Sequence, residues 1–388
     1  MERIKREQLR ESGHFLRPVM LVITVALSLI FLMMPDTITF RAAGAKTRSY
    51  EFGTVVSVTN VSNKEKSPYT GRILETETVK IRLKDRTVTV TNQLSDTHYI
   101  RVHKGSRVLV SVDSPKGVES YYTLFNYNRT IGSIVIFALF ALLMIAIGGK
   151  KGAYSMAALV FAVILIFRVT VPMIYNGVSA LPVTALTVLL ITLDTILLLQ
   201  GANRQSLTSI AVVFAGEILA AGLFALFSVL LHISGFNDGN VDSLLVITQN
   251  TGMDLTHILF SAAMISSLGA VMDVAVSLVS AVFEVSAHNH SLTAKELFRS
   301  GMNVGRDMMG TMSNTLILAF TGSALSMLLV LCSYGVQPLQ LLSSDTIAVE
   351  IAHGICGTAA VILTVPLASA ASALALGFSA SKKSGGHF

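Results

Sequence analysis

Residues 255–282 read LTHILFSAAMISSLGAVMDVAVSLVSAV, and this run decides the fold. It exceeds the ~20 residues that cross a bilayer as helix. Its only ionisable side chains are His257 and Asp273. Working outward, runs of the same kind lie at 19–34, 131–147, 153–171, 181–199, 207–231, 312–332 and 346–378. The 388 residues are 52% hydrophobic and only 13% charged, about half the charged share of a soluble chain. Mean hydropathy is +0.65. A soluble enzyme is excluded. The reading is an α-helical polytopic membrane protein of about eight transmembrane helices.

Charge sets the expected orientation. The leader carries Arg3, Lys5, Arg6, Arg10 and Arg17. Basic residues then recur in every second connection: Lys150 and Lys151, Arg204, then Lys295, Arg299 and Arg306, and finally Lys382 and Lys383. The connections 172–180 and 333–345 carry no Lys or Arg. Loops rich in these residues stay inside, so both termini are expected in the cytoplasm. The net charge of +6 is thereby explained by orientation, without nucleic acid as a partner. A basic leader, an apolar run and Ala42-Ala43-Gly44-Ala45 also resemble a cleaved signal peptide; the long leader favours an uncleaved first helix.

The expected organisation is a leader and first helix over 1–34, an extracytoplasmic β domain over 35–129, and a seven-helix membrane domain over 130–380. Within 35–129, apolar residues alternate as in strands: Phe52 to Val58, Val79 to Leu83, Val88 to Thr91 and Val108 to Val112. Lys84-Asp85-Arg86 reads as a hairpin turn. Four or five short strands suit a small β-barrel-like, OB-like domain. No cluster of aromatic and basic residues marks it for nucleic acid.

Function is sought among polar groups inside the spans. An ionised side chain at the centre of a span costs about 2.5–3.5 kcal/mol, so it faces protein or water. Thr184, Thr187 and Asp194 share a face; so do Ser209 and Glu217, with Gly216 and Ala220 allowing close helix approach. Ser266, Ala270, Asp273, Ser277, Ser280 and Glu284 form a stripe of polar or small residues. Asp307, Thr311, Asn314 and Thr315 open the next span. Asp254 with His257, and Glu350 with His353, stand one turn apart near the outside. Each pair suits proton passage or divalent-ion ligation. Any one carboxylate could be structural glue between helices. Together, with no matching set of buried bases, they call for protons, another cation or a cationic substrate. The reading places Asp194, Glu217, Asp273 and Asn314 around one cavity, with Asp307, Thr315 and Glu350 as further ligands. Asp254, His257 and His353 form an outer relay.

The segment 283–311 reads as an amphipathic cytoplasmic helix (Leu292, Leu297, Phe298) entering a glycine cluster. Gly301, Gly305 and Gly310, with Pro366 in the last span, are candidate hinges or breaks that would line a binding cavity. Met302, Met308, Met309 and Met312 read as packing rather than soft metal ligands. Cys332 and Cys356 are too few for a disulfide framework or a cysteine zinc site. No cofactor is implied, and metal at the histidine pairs stays open.

The run Leu268-Gly269-Ala270-Val271-Met272-Asp273-Val274-Ala275 joins Ser300-Gly301-Met302 and the motif from Gly305 through Asp307, Gly310 and Asn314 to Ala319. With Glu350 and Val365-Pro366-Leu367, these resemble the YibE/F family of bacterial multi-pass membrane proteins over about 120–380. The first span and β segment are similar to the YibE-type arrangement. The resemblance implies a permease-like protein of the bacterial plasma (inner) membrane, and it assigns no binding residues.

The function expected is that of a secondary transporter moving a small solute or ion, coupled to protons or another cation. The lipid bilayer and that solute are its partners. The chain has no phosphate-binding Gly-x-x-x-x-Gly-Lys-Ser/Thr loop, no His-Glu-x-x-His and no Gly-x-Ser-x-Gly. An enzyme is therefore not expected; Asp194 and Asp273 lack the glycine turn of an aspartyl dyad. The alternative is a non-transporting sensor or complex subunit whose β domain binds a partner.

Overall fold

A computed structural model describes residues 2–35, 47–236 and 241–384. The Ala42–Ala45 stretch lies outside the described residues. The chain divides into two compact units, Arg41–Leu143 and the remainder.

The first unit holds five strands: β1 Arg48–Lys66, β2 Ile73–Arg82, β3 Thr87–Gln93, β4 Arg107–Asp113 and β5 Tyr121–Tyr127. All neighbours pair antiparallel in the order β3-β2-β1-β4-β5. The period-two pattern is realised, with Val79, Ile81, Val88, Val90, Val108 and Val110 in one core. Lys84-Asp85-Arg86 turns between β2 and β3, closed by the Leu83 amide donating to the Arg86 carbonyl at 2.8 Å. Strand β1 pairs with β4 up to Thr54 and with β2 from Thr54 onward, with a bulge after Val55. One strand shared in this way bends the sheet, and β3 approaches β5. Gly53 sits at the changeover: a Cβ there would lie 2.5 Å from Ile81 Cγ2. Strand β5 carries exposed Tyr121 and Phe125 and offers the weakest alternation.

The open end of this core is polar. Glu75, Glu77 and Asn92 occupy inward positions and are buried. Arg101, from the connection between β3 and β4, bonds Glu75. Asn92 donates to Glu77 at 3.2 Å and to the Ile100 carbonyl at 2.9 Å. Burial pushes the Glu77 carboxyl up, with the Asn92 bond opposing.

The helices are α1 Glu2–Met33, α2 Thr130–Leu165, α3 Val171–Tyr175, α4 Ala180–Gln200, α5 Arg204–Leu230, α6 Val241–Thr251, α7 Leu255–His288, α8 Ala294–Ser323, α9 Leu325–Ser333, α10 Pro338–Leu342 and α11 Asp345–Ser384. Among the described residues, five helical stretches are long and apolar enough to cross a membrane, or six if bent α8 and α9 count together. The difference from eight has identifiable sources. The apolar part of α1 is short, Arg17–Met33. Thr130–Tyr175 runs as one stretch of 46 residues, about 69 Å as straight helix and twice a bilayer core. That stretch breaks at Gly149, whose φ of 55° is left-handed. A Cβ on Gly152 would fall 2.0 Å from the Met144 carbonyl. Residues eight apart in a straight helix stand about 12 Å apart, so the chain reverses there, beside Lys150 and Lys151. The last source is the 51° bend between α8 and α9.

Helices α4, α8 and α11 pack with α7, and α5 packs with α7 and α11. Glycines set the approach. A Cβ on Gly216 would lie 2.6 Å from Val271 Cγ1, on Gly301 2.7 Å from Ser369 Oγ, and on Gly305 2.3 Å from Val365 Cγ1. A π-helical turn over Ile166–Thr170 precedes Pro172, whose ring and missing amide donor disturb regular α-helix. In that turn Arg168 donates to the Phe31 carbonyl at 3.4 Å and to the Met34 carbonyl. It thus satisfies orphan carbonyls at the end of α1.

Candidate functional site

Helix α5 brings Glu217 to the middle of the bundle, where it is 2% exposed. Its carboxylate accepts from Ser267 Oγ of α7 at 3.3 and 3.4 Å. One turn toward the C-terminal end of α5, Cys356 Sγ of α11 donates to the Ala220 carbonyl at 3.0 Å. A further turn in the same direction, His353 stacks on Phe224 at 5.1 Å and 16°. Its Nε2 lies 3.4 Å from the Leu259 carbonyl. Toward the other end of the same helices, Ser209 donates to Gln200 Oε1 at 3.3 Å, and Gln200 and Gln205 both donate to Ser280 at 3.1 and 2.7 Å. The glutamines were not singled out by periodicity, because each ends or begins an apolar run and reads there as a boundary residue.

Asp194 of α4 is 7% exposed and accepts from the Thr24 hydroxyl of α1. Its second oxygen is buried without a hydrogen-bond partner among the described residues, as are the hydroxyls of Thr184 and Thr192 on the same helix. Among the described residues the ion pairs lie within the β unit and at Asp254–His257 and Glu284–His288. None reaches Asp194 or Glu217.

Among the described residues no hydrogen bond or ion pair joins Asp194, Glu217, Asp273 and Asn314 to one another. Asp194 faces α1, and Glu217 faces Ser267 of α7. Asp273 is exposed on α7. Ser267 and Asp273 are six residues apart, about 120° around a helix, so the face of α7 that meets Glu217 is not the face that carries Asp273. Asp307, Asn314 and Thr315 lie on the exposed side of α8, with Thr315 donating to the Thr311 carbonyl at 3.0 Å. Glu350 is half-buried.

Asp254 and His257 do pair, at 3.5 Å between Oδ2 and Nδ1. The aspartate is also the N-cap of α7, accepting from the Thr256 amide at 2.8 Å and the His257 amide at 3.3 Å. That is helix-capping chemistry. No three His, Cys, Asp or Glu side chains among the described residues converge for a metal.

The glycine cluster differs from a broken helix. Helix α8 runs without interruption through Gly301, Gly305 and Gly310, and α11 runs through Pro366. Gly301 and Gly305 are spent on contact with α7 and α11. The entry to α8 is fixed by a capping box of Thr293 and Glu296, a Thr-x-x-Glu signal legible in the sequence.

Carboxylates buried among apolar helices, with hydroxyl groups as their bonding partners, define a polytopic α-helical membrane protein. Residues 136–377 match the YibE/F-like protein family. The match covers more than half of the chain, and the chain belongs to that family. It leaves α1 and all five strands outside the matched residues. No curated protein and no solved structure matches the chain.

Proposed function

We propose that the chain is a secondary transporter that moves a small solute or ion, coupled to protons or another cation through Glu217. The observation that carries this is Glu217 itself, 2% exposed and bonded to a serine hydroxyl. An ionised carboxylate so placed requires a neutralising proton or cation. His353 lies about 10 Å outward and Ser209 about 12 Å inward along α5, by helix rise. Protonatable or hydroxyl groups thus flank Glu217 at both depths of one helix interface. Asp194, with its unpartnered oxygen, is a second neutralisable carboxylate in the α1–α4 interface.

In this reading the chain crosses a bacterial plasma membrane about eight times with both termini in the cytoplasm. The reversal at Gly149 beside Lys150 and Lys151 supports two spans within Thr130–Tyr175. The strand order β3-β2-β1-β4-β5, with β3 near β5, supports an OB-like extracytoplasmic domain. The exposed aromatics Tyr50, Phe52 and Phe125 of that sheet favour a second reading, a sensor or complex subunit that binds a partner outside.

Solute-evoked pH change inside dye-loaded proteoliposomes discriminates the two. A transporter shows it and loses it with Glu217→Gln. A sensor shows none with any solute.

A further inference from the structure

We propose that the β unit docks on the bilayer surface through one end of its outer sheet face. There Phe52 and Phe125 enter the interface, and Arg82, Arg107 and Arg129 meet anionic phospholipid headgroups. Strand register brings these residues together. Phe52 pairs with Leu109 and Leu109 with Asn126, with Phe125 in the bulge beside them. Two residues along β1, Thr54 pairs with Arg107 on one side and Arg82 on the other. Directly paired residues share a face. That face is the outer one, because the neighbours of the two arginines, Ile81 and Val108, lie in the core. Phe52, Phe125, Arg82, Arg107 and Arg129 are exposed. Among the described residues the acids that pair with arginine in this unit hold Arg48, Arg86 and Arg101, and none pairs with Arg82, Arg107 or Arg129.

Chain continuity sets this end of the sheet beside lipid. The Asn128 amide donates to the Arg107 carbonyl at 2.9 Å, and α2 begins at Thr130. The compact β unit runs on to Leu143 and so includes the first turns of that helix. Ile131, Ile134, Val135, Ile136 and Phe137 are all exposed there, the surface of a helix in hydrocarbon. From Asn128 to Ile131 the chain spans at most about 11 Å, which the headgroup layer and an arginine side chain cover together. Charge marks the same unit independently. Residues 35–129 hold 15 Lys and Arg against 9 Asp and Glu, an excess equal to the +6 of the whole chain. Elsewhere bases and acids balance, so the positive excess lies on this unit rather than on the loops that set orientation. Apolar side chains together with cationic ones are what binds an anionic bilayer surface. A chain without Trp builds such an interface from Phe, Tyr and Arg. This inference does not depend on transport through Glu217. It gives Phe52 and Phe125 a lipid occupant where the sensor reading needs a protein.

The test uses the full chain in lipid nanodiscs, with the exposed Cys332 replaced by serine and the buried Cys356 kept. A bimane label on Thr54→Cys, between the two arginines, reports docking through quenching by nitroxides carried on lipid headgroups. Val118→Cys is the control: it is 69% exposed and precedes β5, whose far end lies about 20 Å away by strand rise. In equal parts phosphatidylcholine and phosphatidylglycerol, quenching should be severalfold greater at Thr54→Cys. Arg82→Gln and Arg107→Gln should each lower the ratio of docked to undocked forms about fivefold, and Arg107→Lys should retain docking. Phosphatidylcholine alone should lower the ratio further. Equal quenching at the two positions overturns the proposal. So does quenching at Thr54→Cys that is indifferent to both glutamine substitutions and to anionic lipid. Shielding of that label from soluble iodide as complete in phosphatidylcholine alone as in the mixture assigns the patch to protein or nucleic acid, and overturns the proposal as well.

Discussion

The Thr24 hydroxyl on α1 donates to the Asp194 carboxylate on α4 across 170 residues of sequence. With Arg17 donating to the Gln200 carbonyl at 3.0 Å and Arg168 closing the far end, α1 is held to the bundle at three depths. It is an integral helix of the fold. Thr24→Val removes the hydrogen bond to a buried carboxylate whose other oxygen already lacks one, a loss of about 1–3 kcal/mol. Thr24→Ser should retain most of it. Thermal unfolding of the detergent-solubilised protein reads the difference, and equal midpoints for all three proteins would contradict this role.

Gly305 and Gly310 lie on one helix but should respond oppositely to alanine. At Gly305 the added methyl meets Val365 Cγ1 at 2.3 Å, and overpacking of this kind costs about 1–3 kcal/mol. At Gly310 nothing lies within 4 Å, so Gly310→Ala should be neutral or stabilise the helix by up to about 1 kcal/mol. Comparable destabilisation by both would argue against glycine serving close packing at Gly305.

In the β unit, Arg101→Ala removes a bond to the buried Glu75 carboxylate from a partly exposed partner, which should cost about 1–3 kcal/mol. Pulse proteolysis of the strands in the full chain measures it.

The pH dependence of the same unit has a definite sign. Burial raises the Glu77 carboxyl above its ordinary 4.5, so the folded state binds this proton more tightly than the unfolded chain. The resulting stability is present below about 4.5 and fades as pH rises through the folded value. Asp96 behaves oppositely: hydrogen bonds from Thr70 and Ser67 hold it below its ordinary value. Its contribution is present above that value and fades in acid. Glu77→Gln, which keeps an acceptor for Asn92, should flatten the loss between acid and neutral pH. An unchanged profile would assign that slope elsewhere.

Periodicity made the strands and spans legible because it depends only on local spacing. The alternation in Val88 to Thr91 and the long run around Asp273 needed no tertiary information. The period of three to four also placed Ser266, Asp273 and Ser277 on one face of α7. It could not say whether that face meets the bundle or leaves it, since this depends on which partners bury Val271 and Leu278. Arg168 was passed over for the same reason: its role is to cap a helix that begins far earlier in the chain. Glycine carries the same ambiguity, and only packing separates crowded Gly305 from open Gly310.

The proposed transport requires Glu217 to bind and release a proton or another cation as solute moves. Proteoliposomes loaded with a pH dye, exposed in turn to gradients of monovalent cations, divalent cations and small anions, test it most directly. The account predicts that at least one gradient evokes internal pH change with the wild-type chain, and that Glu217→Gln, still folded, abolishes it. Solute-evoked pH change that survives Glu217→Gln, or none from the wild type across the panel, would contradict it.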